Sequence, residues 1–298
     1  MGGTLVVGAT GLVGGAVCQG LATAGKPVRA LIRASSDPLK VGRLQAMGVE
    51  TVQGDLRDGS SLGRACDGVE AVISTASSMP FAYVAGQNDI DTTDRHGEIA
   101  LIDAGKAAGV RHLVYTSFSK NLELDFPLRN AKRAVEGHLK ASGLTYTILR
   151  PSCFMEVWLS PAVGFDPANA RATIFGTGEK PVSWISLQDV AAFAVASLEN
   201  AAGKNAVLEL GGPEAISPLE VVRIFERAGG RAFEIRNVPV EALKAQQAAA
   251  TDPMQQSLAG LMQCVAAGDP IDMVETLRAF PLALTSVRDY AKRVLASA

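Results

Sequence analysis

Apolar residues fall along this chain in two alternating patterns. Leu5-Val6-Val7 is a short continuous run, as in a strand buried on both faces. Val13, Val17 and Leu21 then recur every fourth residue, which is one face of a helix. The alternation continues, with strands expected at 28–32, 49–52, 71–74, 112–116 and 145–149. Helices are expected at 38–47, near 58–66, at 90–108 and at 128–142, three of them ending at Gly48, Gly109 and Gly143. Strands separated by helices give parallel βαβ units with right-handed crossovers. The fold class is therefore α/β, a doubly wound parallel Rossmann sheet with strand order 3-2-1-4-5-6.

After Arg150-Pro151 the pattern loosens, and residues 151–185 hold few periodic signals. It returns with Leu187, Val190, Ala191, Ala194, Val195 and Leu198, a stripe preceded by Ser186 and Asp189 at capping-box spacing. A strand is expected at 207–210. Ser217 and Glu220 form a second capping box, with Pro218 at the first helical position. A strand at 232–238, a Gln/Ala-rich helix at 239–268 and a last helix capped by Ser286 and Asp289 complete the chain. This tail is too segmented to promise a core of its own. The expected organisation is a Rossmann domain at 1–152 and a smaller α/β substrate lobe at 153–298, partly returning to the Rossmann core. The binding cleft is expected between them.

One stretch carries chemistry. Gly8-x-x-Gly11-x-x-Gly14 joins the first strand to the first helix. Glycines in such a turn let the backbone approach a pyrophosphate, whose charge sits among the unpaired N–H groups of the helix start. A tight turn without a ligand is the plainer alternative. About twenty residues on, where an NAD-specific fold places an acid for the ribose 2′-hydroxyl, this chain has Arg33. An arginine there suits a 2′-phosphate, with Arg29, Lys40 and Arg43 adding positive charge, so NADP(H) is expected over NAD(H).

Composition narrows the class without naming an activity. Of 298 residues 48% are hydrophobic and 19% charged, with a net charge of −2 and no block of like charge, which argues against a nucleic-acid surface. Met1 leads straight into the first strand, leaving no room for a signal peptide, and the longest apolar runs fall far short of the ~20 residues of a membrane helix. Cys18, Cys66, Cys153 and Cys264 form no C-x-x-C pair and read as reduced, packed thiols of a cytoplasmic protein. His96, His112 and His138 are scattered, so no metal site is expected. A monomer and a homodimer are equally open.

Several segments together resemble one family. GATGLVG at 8–14, LIR at 31–33, GDL at 54–56, VYTSF at 114–118, Lys132 with Glu136, LRPSCFME at 149–156 and GTGEKPVSWISLQDVA at 176–191 resemble the NmrA-like branch of the atypical short-chain dehydrogenases/reductases. The likeness runs from residue 3 to about 228. It implies a cofactor site formed by Gly8, Thr10, Gly11, Leu12, Val13, Asp55, Leu56, Thr75, Ala76, Thr116, Lys132, Pro151 and Phe154, with Asp55 at the adenine. For Asp55 a plain helix-capping role fits equally well.

Typical members of the wider superfamily use Tyr-x-x-x-Lys and a serine. The tyrosine protonates the carbonyl oxygen, and the lysine lowers its pKa and holds the ribose. Lys132 and Ser117 match the lysine and serine, which implies catalytic roles for both, but Leu128 stands where the tyrosine would be. Tyr83 could replace it or simply anchor a loop. Phe154, Trp158, Phe165 and Trp184 either line a flat apolar pocket or fill a core. The family includes reductases of quinones, dyes and phenylpropanoids, and proteins that bind NAD(P) without turnover. The expectation is an NADPH-dependent reductase of a quinone, enone or similar flat conjugated molecule; the alternative is a non-catalytic NADP(H)-binding redox sensor.

Overall fold

The computed structural model describes residues 2–296; Met1, and the expectation attached to it, lie outside the described residues. The first half alternates as the apolar pattern requires. It runs β1 (Gly3–Val7), α1 (Leu12–Thr23), β2 (Val28–Ile32), α2 (Pro38–Ala46), β3 (Glu50–Gln53), α3 (Gly59–Cys66), β4 (Val69–Ser74), α4 (Glu98–Ala107), β5 (His112–Thr116), α5 (Pro127–Ala141) and β6 (Thr145–Pro151). The second half holds α6 (Met155–Trp158), β7 (Phe165–Asp166), β8 (Arg171–Phe175), α7 (Leu187–Ser197), β9 (Ala206–Leu210), α8 (Pro218–Gly229), β10 (Glu234–Val238), α9 (Val240–Ala249), α10 (Pro253–Ala267), α11 (Val274–Ala279) and α12 (Val287–Ala296).

Among the described residues the larger sheet has the order β3-β2-β1-β4-β5-β6-β9, the expected order extended by β9. Neighbours from β3 to β6 pair in parallel, with Val6 opposite Ala30 on one side and Ile73 on the other. Strand order reverses between β1 and β4, so the loops after these two strands open a crevice at their carboxyl ends. A smaller sheet, β10-β8-β7, pairs β10 with β8 in parallel and β7 with β8 antiparallel.

The chain forms two compact units, each assembled from separated segments. One comprises Met1–Ser117, Asn130–Leu149 and Val190–Leu208; the other comprises Phe118–Arg129, Arg150–Asp189 and Glu209–Ala298. The first is cored by Leu5, Val72, Leu113, Val135, Leu139 and Ile148, all fully buried. The second has a core of its own, which its broken sequence pattern did not promise. Phe165, Trp184, Val221, Phe225 and Tyr290 meet there, with the Phe165 and Phe225 rings 4.9 Å apart edge to face.

Four local differences stand out, two of them with clear causes. The helix expected at 90–108 begins as a π-helical turn, Ile90–Gly97. The helix expected at 239–268 breaks where Asp252 caps α10 by accepting from the amides of Met254 and Gln255, with Pro253 at the first helical position. The reciprocal capping box at Ser186 does not form, although the Ser186 hydroxyl oxygen still accepts from the Gln188 amide at 3.3 Å. Ser186 donates to Glu156 at 2.7 Å, and the Asp189 carboxylate accepts from the amide and hydroxyl of Thr285. Finally α11 lies in a stretch for which no helix was expected. The box at Ser217 and Glu220 forms in full.

Candidate functional site

Gly8 has φ +81°, a left-handed conformation that glycine adopts without strain. A Cβ there would meet the Ala76 amide nitrogen at 2.8 Å and Thr75 Oγ1 at 2.9 Å. A Cβ on Gly14 would stand 2.2 Å from the Gly8 carbonyl oxygen, and one on Gly11 3.0 Å from the same atom. The turn therefore closes on itself and on the end of β4, where the Thr75 amide donates to the Val7 carbonyl at 3.0 Å. Gly11 caps α1 with no side chain to accept from its first amides. Gly11 and Leu12 are exposed, and Thr10 and Val13 half-buried. Open amides behind a cradle too tight for any Cβ fit a diphosphate.

Gly14→Ala is accordingly expected to lower folding stability by about 1–3 kcal/mol, the usual scale of overpacking. Gly15→Ala, whose added Cβ has no atom nearer than 3.6 Å, is expected to be neutral or stabilising. Denaturant midpoints of the two variants decide; equal midpoints would remove the role assigned to Gly14.

At the end of β2, Arg33 is half-buried and its amide donates to Ser36 Oγ at 2.9 Å. Its charge acts on Asp55. Asp55 is gripped by Arg57, Nε to Oδ1 at 2.9 Å and Nη2 to Oδ2 at 2.7 Å, which holds its carboxyl below the usual range. The capping role belongs to Asp58, which accepts from the amides of Ser60 and Ser61 at the start of α3. Leu56 is buried, in the place where a Cβ on Gly97 would lie 2.7 Å from its own Cβ. Arg29 does not add free charge beside Arg33. Its guanidinium is spent on Glu50 and on the carbonyls of Ala65 and Asp67.

Lys132 matches the motif lysine of the sequence. It is buried, 5% exposed, because three groups of the first unit enclose its amine. Nζ donates to the Thr116 carbonyl at 3.3 Å, lies 3.6 Å from Asp94 Oδ1 and stands 5.1 Å from the centroid of the Tyr115 ring. Asp94 is fully buried, and its other oxygen accepts from the amide of Ser78 at 3.0 Å and from its hydroxyl at 2.6 Å. One turn on, buried Glu98 accepts from Ser74 Oγ at 2.7 Å, and burial pushes its carboxyl up to about 7 against the pull of Lys132. Asp94 and Glu98 were missed in the sequence. Yet they lie four apart in line with Ile90 and Ile102, an acidic interruption of the stripe that faces inward.

Ser117 donates to Glu136 Oε1 at 2.6 Å, and Arg133 Nη1 reaches the same carboxylate oxygen at 2.8 Å and the serine hydroxyl at 3.3 Å. Glu136 is 2% exposed, so the serine's proton is committed to a buried carboxylate that an arginine neutralises. Tyr115 offers no substitute for the absent motif tyrosine. Burial and the nearby carboxylates of Glu98, Asp94 and Glu136 raise its pKa well above the usual value.

In the second unit Leu128 is buried with its amide on Ser257 Oγ at 3.1 Å. Pro151 ends β6, its carbonyl accepting from the Ser119 amide at 2.9 Å, and half-buried Phe154 bridges Ile185. Phe165 and Trp184 are buried in this unit's core, which decides between the alternatives open for them in the sequence, and half-buried Trp158 packs against it. Tyr83 is half-buried in the loop after β4. His138 pairs with Asp103 at 2.7 Å and His96 lies 3.5 Å from Asp91, while buried His112 meets Thr147 Oγ1 at 2.9 Å. All four cysteines are buried free thiols, and burial pushes Cys18 up to about 12. No described helix is long and apolar enough to cross a membrane.

Known proteins are similar to this chain in sequence and fold. A NAD(P)H azoreductase of Xenophilus azovorans is 33% identical over 270 residues, 90% of this chain and 87% of that protein. A photosystem II assembly factor, Ycf39, of Trieres chinensis is 32% identical over 246 residues, 80% and 73% respectively. The solved NADPH complex of an Escherichia coli NADPH-dependent quinone oxidoreductase superposes with a TM-score of 0.78 at 24% identity, covering 98% of this chain and 99% of that one, a likeness of fold. The sequence profile of the NmrA-like family matches residues 3–291, and the chain belongs to that family of atypical short-chain dehydrogenases/reductases.

Proposed function

We propose that this chain is an NADPH-dependent reductase of quinones, enones or similar conjugated small molecules. The observation that carries the reading is the Lys132 amine, buried at the carboxyl end of β5 on the Thr116 carbonyl, in a chain with no proton donor at Leu128. The glycine turn and the first amides of α1 bind a pyrophosphate, and Arg33 takes the 2′-phosphate. Bound NADPH supplies the hydride. Lys132 bonds a ribose hydroxyl and stabilises negative charge that develops on a substrate oxygen. A quinone or enone spreads that charge over its conjugated system and needs less acid help than a simple ketone, which fits the lost tyrosine. The aromatic residues 158, 165 and 184 give this reading no support, since they fill or pack against a core. The 33% identity to an azoreductase along 90% of the chain does support it.

NADPH oxidation followed at 340 nm against quinones, enones, azo dyes and simple ketones tests the proposal. Turnover of the conjugated acceptors and none of the simple ketones is expected. A protein that binds NADPH but oxidises it with no acceptor is a cofactor-binding regulatory protein instead. Buried Leu128 and the 32% identity to an assembly factor favour that second reading.

Cofactor choice is testable at Arg33. Losing a charge-assisted bond to phosphate costs about 1.5–3 kcal/mol, so Arg33→Asp is expected to weaken NADPH binding roughly tenfold to over a hundredfold and to spare NADH. Calorimetry on wild type and variant measures both. A wild type that holds NADH as tightly as NADPH would overturn the assignment.

A further inference from the structure

We propose that Asp94 is the positioning residue of Lys132, aligning its ammonium through an ion pair. The inference rests on the role given to Lys132 above.

Three observations converge on it. The carboxylate is fixed independently of the lysine, because Oδ2 accepts both the amide and the hydroxyl of Ser78 in the loop after β4. Its remaining oxygen, Oδ1, has no hydrogen-bond partner among the described residues and faces Nζ of Lys132 at 3.6 Å. The segment that carries it is a π-helical turn, Ile90–Gly97, a rare form that is frequent at functional sites. That turn sets Asp94 and Glu98 on the buried side together.

The ammonium thus has one fixed hydrogen-bond acceptor and one fixed ion-pair partner. Thr116 O, on β5, holds it along the strand, and Asp94, on the helix that follows β4, holds it across the crevice side of the sheet. A four-carbon side chain has several rotamers, and two anchors from different elements select one. Of the other carboxylates nearby, Glu98 feels the pull of the ammonium but keeps one oxygen on Ser74, and Glu136 is tied to Ser117 and Arg133. The closest aromatic face, Tyr115, adds a cation–π contact but no acceptor. Removing a buried carboxylate that only filled space would alter stability alone; removing one that aims Lys132 alters the reaction step and leaves the quinone's binding in place.

The test is Asp94→Asn, which keeps the shape and the carbonyl that Ser78 donates to, together with Asp94→Glu, Lys132→Met and the Asp94→Asn/Lys132→Met double variant. With NADPH and a quinone, Asp94→Asn is expected to lower kcat about tenfold or more while KM for the quinone stays within about twofold. In the Lys132→Met background the same change is expected to lower kcat no further, because it acts through the lysine. Asp94→Glu is expected to recover part of the loss. A second readout needs no turnover: in ¹⁵N-labelled protein the Lys132 ammonium gives a slowly exchanging NMR signal, identified by its loss in Lys132→Met and expected to vanish in Asp94→Asn.

A folded Asp94→Asn variant with wild-type kcat and an unchanged Lys132 signal overturns the proposal. So does a fall in kcat that persists undiminished in the double variant. If the wild type reduces no acceptor, the reductase reading fails, and the ammonium signal alone then decides whether Asp94 holds Lys132.

Discussion

Lys132→Met is expected to lower kcat about a hundredfold at saturating NADPH, the usual scale for removing one donor from a developing negative charge. The methionine keeps the apolar stem and removes the ammonium that lies on Thr116 and beside Asp94. Two further measurements separate the jobs of the residue. NADPH affinity, read by titration of protein fluorescence, falls if the amine also bonds the ribose. Stability falls by about 3 kcal/mol, because a buried acid is left without its cation; adding Asp94→Asn restores part of it. Full turnover with unchanged NADPH affinity in a folded variant would remove Lys132 from the site.

The second large effect is a pH dependence of stability set by Glu98. Its carboxyl is raised from 4.5 to about 7, chiefly by burial. Between those values the folded chain holds a proton that the unfolded chain has lost. The stabilising contribution is therefore complete below about pH 4.5, declines as pH rises through the window, and is gone above about 7. At about 1.4 kcal/mol per tenfold in proton affinity, the window corresponds to about 3 kcal/mol. Glu98→Gln is neutral throughout and keeps an acceptor for Ser74. Its stability relative to wild type is expected to rise by about that amount between pH 4.5 and pH 8 in urea unfolding. A difference that stays flat with pH would show that Glu98 is ionised in the folded chain at all these values.

Much of this was legible in the residues, and the parts that were not share a cause. Strand order to β6 follows from runs such as Leu5-Val6-Val7 and from helices with one apolar face. Each is a local pattern with few alternative packings. The glycine turn was equally local: Gly8 and Gly14 announce a backbone too close for side chains, and 2.2 Å from a Gly14 Cβ to the Gly8 carbonyl is that closeness measured. What the sequence hid is what two distant segments do to each other. Lys132 and Asp94 are 38 positions apart, and nothing near either one tells that they meet. Ser186 and Asp189 had the spacing of a reciprocal cap, but the Asp189 carboxylate is held by Thr285, 96 positions on, while Ser186 accepts from Gln188. The core of Phe165, Trp184 and Phe225 gathers residues from segments that show no common period.

The place of β9 has a consequence for synthesis on the ribosome. β6 is complete at Pro151, but the strand that covers its open edge begins only at Ala206. About 54 residues must be translated in between, which at roughly 5–20 residues per second takes on the order of 3–11 s. During that interval the nascent sheet offers an uncovered edge to any neighbouring chain, the kind of surface that templates wrong pairing. A slow codon run placed between these two strands would lengthen the exposure, and one placed after Leu210 would not. Yield of the native protein is therefore set partly by how fast these particular residues are made.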